Sequence, residues 1–332
     1  MAPADLVLRE IGALSLVVAL GALALRRLSA DAIAALSRIV VDVALPALVF
    51  SQLLATTTAA DLRRDAWVPV AGFALLAVGA LGAVLCSRLA PEPTRPTVAF
   101  LVAVPNWIYL PLPIATAAWG AEGARAVLLV NVGALVFLWV FGPAMLRGSA
   151  APWRLLVNPG LLATAAAIGA ILLSVPVDIA DGALLRACSG VGATAVPLGL
   201  LLTGAQLAQV ADSPAARVTQ TPEPALKGRS SWRLQSWLPF QPRPGLAVAL
   251  VGRLALSPAL CIVAVWALGH SVALPPSLQG VLWLVATMPS ALTATQFVSR
   301  FGGDPALAAQ AVLWGTLGSL VTVPIWLAVL GG

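Results

Sequence analysis

The chain has 332 residues, 60% of them hydrophobic and 10% charged. A soluble domain carries about 25% charged residues, so this composition excludes a water-soluble globular protein and indicates a polytopic membrane protein. The net charge of +6 reads as basic loops that orient membrane helices, with no nucleic-acid partner.

The chain opens "MAPADLVLRE", with Asp5 and Glu10 where a cleaved signal would be basic, so the first apolar segment is expected to be retained. A spanning helix needs about 20 mostly apolar residues. Ten segments qualify: Leu6–Leu25, Ile33–Leu53, Trp67–Ser87, Thr97–Trp119, Ala124–Leu146, Leu155–Leu173, Leu184–Leu207, Leu246–Leu268, Leu278–Arg300 and Pro305–Leu330. Cys86, Cys188 and Cys261 are isolated in apolar runs without ligand spacing, so neither metal nor cofactor is expected. His270 falls in an outer loop and reads as a surface residue. The one long connection, Ala208–Gly245, is polar and proline-rich. Its Trp232, Arg233, Trp237 and Phe240 suit either a linker or a segment lying on the lipid headgroups.

Basic residues set the orientation. With the N-terminus outside, thirteen face the cytoplasm, including Arg26, Arg27, Arg38, Arg147 and Arg300. Five face outward: Arg9, Arg63, Arg64, Arg125 and Arg186, and Arg253 lies inside a span. The positive-inside rule then puts both termini outside a cell (plasma or inner) membrane and the 208–245 loop in the cytoplasm.

The fourth segment contains "PNWIYLPLP", Pro105 to Pro113, and the ninth contains "TMPSALTATQ", Thr287 to Gln296. Both should break a helix, which bilayer interior tolerates only around a cavity or within protein. An internal repeat pairs these segments. "WGAEGARAVLLVNVGALVFL" from Trp119 lies on "FGGDPALAAQAVLWGTLGSL" from Phe301, matching Gly120 with Gly302 and Glu122 with Asp304 at an offset of 182. "VALPALVF" around Pro46 similarly lies on "TAVPLGLL" around Pro197 at an offset of 151, and the extra cytoplasmic loop accounts for the difference. Two five-span halves, residues 1–150 and 151–332, must then run in opposite directions. The expected fold is an all-α membrane protein of ten helices in two inverted repeats, with broken, crossing fourth and ninth helices.

In secondary transporters of this plan the broken helices meet at the substrate site, and half-helix N-termini suit an anion. The candidates are Asn106, Pro113, Pro289, Ser290, Thr293 and Thr295, with Pro105 and Pro111 shaping the crossing. Asp42, the acidic residue well inside a span, either pairs with Arg38 four residues earlier or carries a coupling proton or cation. Asn131 either faces the crossing or bonds a neighbouring helix. Ser51, Gln52, Thr203 and Gln206 either line the cavity or make interhelical hydrogen bonds.

These motifs resemble the auxin efflux carrier family of bacterial and plant transporters along nearly the whole chain. The resemblance rests on "LSRIVVDVALPALVFSQL" from Leu36, on Asn106, Tyr109 and Pro113 of an Asn-x-Gly-[Phe/Tyr]-x-Gly-x-Pro pattern, and on Met288, Pro289, Ser290 and Ala291. Ile108 and Pro111 replace the pattern's glycines, and Leu292 and Thr293 replace its Thr-Asn pair. The resemblance adds Tyr109 to the site. It implies a scaffold of the first, second, sixth and seventh helices, a moving transport domain and a homodimer. Plant carriers of this kind move auxin, and bacterial members are linked to malonate and other organic acids.

The expected function is therefore a secondary transporter or uniporter for a small organic anion, auxin-like or a dicarboxylate. A sodium- or proton-coupled antiporter of related plan is the alternative, although it would usually want more buried carboxylates. An intramembrane protease would need two intramembrane aspartates or a serine–histidine pair, and no His-Glu-x-x-His occurs. The chain is not expected to be an enzyme.

Overall fold

The computed structural model describes residues 3–148, 158–174, 182–212, 242–271 and 273–331. Residues 213–241 of the 208–245 loop, with all its aromatic residues, lie outside them, and residues 208–212 continue a helix. Every described element is helical, and the one β-bridge joins Pro105 to Ser290. In chain order the helices are α1 (Pro3–Ala24), α2 (Ala30–Thr56), α3 (Ala59–Arg64), α4 (Val68–Ser87), α5 (Arg95–Ala103), α6 (Pro111–Arg147) and α7 (Pro159–Leu172). They continue as α8 (Ala183–Ala193), α9 (Ala195–Asp212), α10 (Leu246–His270), α11 (Pro276–Thr287), α12 (Ala294–Phe301) and α13 (Pro305–Gly331). Helix occupies each of the ten apolar segments. Six spans are long and apolar enough to cross a membrane by length and composition: α2, α4, α6, the α8–α9 stretch, α10 and α13. Leu16, Leu20, Leu81, Leu85, Val263 and Ile325 expose their side chains, as lipid-facing surfaces require.

Prolines explain the irregularities. Pro46 and Pro258 have no N–H for the carbonyl four residues earlier, and each follows a π-helical turn, at Val40–Ala44 and Gly252–Leu256. Behind Pro258, the orphaned Leu254 carbonyl accepts the Trp326 indole N–H at 2.9 Å. Gly120, with φ 59° and ψ −142°, interrupts α6, and its repeat partner Gly302 also has positive φ, 97°.

Packing mixes the two sequence halves. One group joins α1 to α9 and α2 to α7 and α8; the other joins α4 to α5, α6 and α10, and α11 to α6. Close backbone approach holds both groups. A Cβ at Gly204 would collide with the Val18 carbonyl, and one at Gly133 with the Pro69 carbonyl. Lipid is as apolar as leucine, so small residues that let backbones touch are what hold helices together there.

Candidate functional site

Helix α5 stops at Ala103 and α11 at Thr287, each just ahead of a proline-bearing break. Val104 and Met288, the residues before Pro105 and Pro289, are extended, as a following proline demands. The chain then turns at Asn106, whose Oδ1 accepts the Tyr109 N–H at 3.1 Å. The two breaks lie antiparallel and satisfy one another. Asn106 N–H donates to Pro289 O at 2.8 Å, and Ala291 N–H donates to Val104 O at 3.0 Å. Ser290 Oγ adds a bond to Leu101 O at 2.8 Å. Backbone freed by the prolines thus finds partners without water.

Arg253 completes the junction. It is 2% exposed, in the π-helical turn of α10. Its Nε donates to Met288 O at 2.9 Å, and Nη1 donates to Val102 O and Ser257 Oγ, both at 3.0 Å. Nη2 donates to Ala286 O. The sequence pattern places Arg253 inside a span and gives it no role. An arginine alone in "ALVGRLALSP" was the signal, because an intramembrane charge marks function by default.

Beside the breaks lies a mostly apolar cavity of about 140 Å³, lined in part by Asp42, Asn106, Trp107, Tyr109, Asn131, Thr293 and Arg300. Asn106 and Asn131 are each 1% exposed. Asn131 Oδ1 accepts the Trp107 indole N–H at 2.8 Å, and Asn106 Oδ1 is held by Tyr109. Both oxygens face N–H donors, which settles which end of each amide is nitrogen. Among the described residues neither Nδ2 has a hydrogen-bond partner. Two buried donor groups without acceptors therefore belong to one cavity, and each is costly unless a ligand or water supplies an acceptor.

The cavity continues into a larger and more polar one of about 820 Å³, sharing Val41, Asp42, Gln296 and Arg300 with it. Arg300 is exposed and rests over Trp139 and Phe301, 5.8 and 5.3 Å from the ring centres. Across this space a hydrogen-bonded chain links three helices: Thr295 Oγ1 donates to Gln206 Oε1 at 3.1 Å, and Gln206 Nε2 to Ser37 Oγ at 3.2 Å.

At the far end of α2 lies a charged cluster. Arg125 reaches Asp61 at 3.2 Å, Asp65 at 3.5 Å and the Thr56 carbonyl at 3.2 Å. The Thr58 hydroxyl, donating to Asp61 at 2.7 Å, is the main cause holding that carboxyl below its ordinary pKa. Partial burial opposes it, and the Thr58 N–H, Arg125 and Arg64 reinforce it.

The structure brings Pro105, Asn106, Tyr109, Asn131, Thr293 and Asp42 to the smaller cavity, and Gln206 and Thr295 to the larger. Other candidates lie elsewhere. Pro111 and Pro113 form the first turn of α6, and Pro289 is buried with its carbonyl spent on Asn106. Ser51 bonds its own helix at Ala47 O, 2.8 Å away, and is not among the lining residues; Thr203 likewise bonds Gly199 O at 2.8 Å. The considered Arg38–Asp42 pair does not form: no basic nitrogen among the described residues lies within 4.0 Å of Asp42. The π-helical turn holding Asp42 changes the angular step per residue, so a spacing of four no longer stacks the two side chains.

No curated protein matches the chain. The membrane transport protein family matches residues 13–164 and 145–327, which together span nearly the whole sequence. Helical described residues and long apolar spans are consistent with a membrane transporter, and the chain belongs to this family of auxin efflux carrier-type membrane transporters.

Proposed function

We propose that the protein is a secondary transporter or uniporter that moves a small organic anion by alternating access, with ten transmembrane helices in two inverted five-helix repeats, residues 1–150 and 151–332. The observation that carries the reading is the pair of unpartnered amide nitrogens, Asn106 Nδ2 and Asn131 Nδ2, in one cavity. Both can only donate, so they ask for an acceptor such as a carboxylate. The N-termini of α6 and α12 follow the breaks and favour negative charge. The apolar walls of Trp107, Leu135 and Leu138 suit the hydrocarbon body of an organic acid, auxin-like or a dicarboxylate.

The positive φ shared by Gly120 and Gly302 supports the repeat. The α1, α2, α7, α8 and α9 group acts as scaffold and dimer surface, while the group around the breaks moves. The larger cavity lies beside Arg38 and Arg300, which the basic-residue count assigns to the cytoplasm, so this arrangement is inward-open and the Arg125 cluster is its closed outer end.

Uptake by proteoliposomes tests the function. Radiolabelled indole-3-acetate and malonate would be offered at equal ionic strength, with and without sodium and a pH gradient. Saturable accumulation of either acid supports the reading. Sodium or proton exchange with no acid transport would replace it with an antiporter.

A further inference from the structure

A buried guanidinium normally faces a carboxylate, because an uncompensated charge removed from water costs several kcal/mol. Arg253 faces none: among the described residues its partners are three carbonyls and one hydroxyl, from Val102, Ala286, Met288 and Ser257. The carbonyls are not arbitrary. Val102 belongs to the last turn of α5, and Ala286 and Met288 to the end of α11. Both are half-helix C-termini, where peptide dipoles sum to partial negative charge and carbonyls lose their intrahelical donors. Two such ends converging inside a membrane form a cluster of hard oxygen atoms, the chemistry that otherwise takes a dehydrated alkali cation.

We infer that Arg253 is a built-in cation, filling with its guanidinium an oxygen cage between the ends of α5 and α11 that would otherwise require a bound monovalent metal ion. The crossing then keeps its positive charge through every step of the cycle. It needs no exchangeable sodium to hold the two half-helices together. Arg253 lines neither cavity, so it acts through the geometry of the breaks: Val102 lies two residues before Val104, and Met288 directly precedes Pro289, and the carbonyls of Val104 and Pro289 accept the interbreak bonds from Ala291 and Asn106.

Three variants of the full chain, purified in detergent, test this by Tm and monodisperse yield. Arg253→Lys keeps the charge, Arg253→Met keeps the apolar stem, and Arg253→Ala empties the cage. The unaltered protein is expected to melt at the same temperature in sodium and choline chloride of equal ionic strength. Arg253→Lys should retain most of the yield that Arg253→Met loses. Arg253→Ala should be recovered, or raised in Tm, by millimolar methylguanidinium and more weakly by sodium, but not by choline. Equal behaviour of the Lys and Met variants would overturn the inference. So would an Arg253→Ala protein indifferent to both small cations, whether folded or not, or a sodium-dependent Tm in the unaltered chain. None of these readouts requires a transported substrate.

Discussion

The Trp107 indole N–H donates to Asn131 Oδ1 at 2.8 Å, across 24 residues and from break to helix, and so fixes the amide with its nitrogen left without a hydrogen-bond partner among the described residues. Asn106 has the same polarity through Tyr109. Replacing either asparagine by alanine removes a donor to a charged ligand, worth about 1.5–3 kcal/mol, or roughly tenfold or more in affinity. Asn106→Ala and Asn131→Ala are expected to fold and to lose organic-acid uptake through a raised KM. Asn131→Asp should do worse, since it sets a carboxylate against a carboxylate. Uptake with unchanged KM in Asn106→Ala would remove that side chain from the site.

Ser290 provides the contrast. Its hydroxyl is committed to Leu101 O at 2.8 Å. Ser290→Ala is expected to cost about 1 kcal/mol of stability while leaving substrate affinity close to normal. Thermal melting beside uptake kinetics separates the two effects, and a large KM change with intact Tm would return Ser290 to the binding set.

Asp42 is exposed at the junction of both cavities and lacks an ion pair among the described residues. Asp42→Asn should abolish pH-dependent accumulation while preserving exchange of labelled for unlabelled acid. Retained pH dependence in proteoliposomes would take Asp42 out of coupling.

The Arg125 cluster joins the end of α2 to α6. Its side chain is 11% exposed, and losing one partner of such a network costs on the order of 3 kcal/mol. Arg125→Ala is therefore expected to lower Tm by several degrees. Asp61 has a depressed pKa when folded, so its contribution is complete above the ordinary carboxylate pKa of about 4 and fades as pH falls through the lower folded value. Melting curves across that window should show Asp61→Asn losing part of the acid sensitivity of the unaltered protein. Identical pH profiles would show that the cluster does not contribute.

Cysteine labelling reads the motion. In a background without Cys86, Cys188 and Cys261, Thr295→Cys on the larger cavity should react with an impermeant thiol reagent from the cytoplasmic side, and substrate should slow it. Ser290→Cys, 2% exposed in this arrangement, should react only as the breaks become accessible during turnover. Ser230→Cys, outside the described residues, should react from the cytoplasm, and reaction from outside would invert the proposed topology. Reaction of Thr295→Cys from both sides at once, indifferent to substrate, would indicate a pore.

The apolar segments and both helix breaks were legible in the residues themselves because their causes are local. Span length follows from bilayer thickness, and a proline's missing N–H ends a helix wherever the chain runs. Asn106 could be singled out for the same reason, as an amide next to Pro105 in a nine-residue stretch with three prolines within a span. What the side chains then bond to was not local. Ser290 meets Leu101 across 189 residues, Arg253 meets Val102 across 151, and Asn131 shares a cavity with Asn106 only because α6 folds back along the break. The Arg38–Asp42 spacing was local and still left pairing open, since the π-helical turn ahead of Pro46 alters the step between them. Periodicity records which face of a helix is apolar. Hydrogen-bond direction, and so which of two polar groups is left facing the cavity, depends on partners that only the packed helices bring within reach.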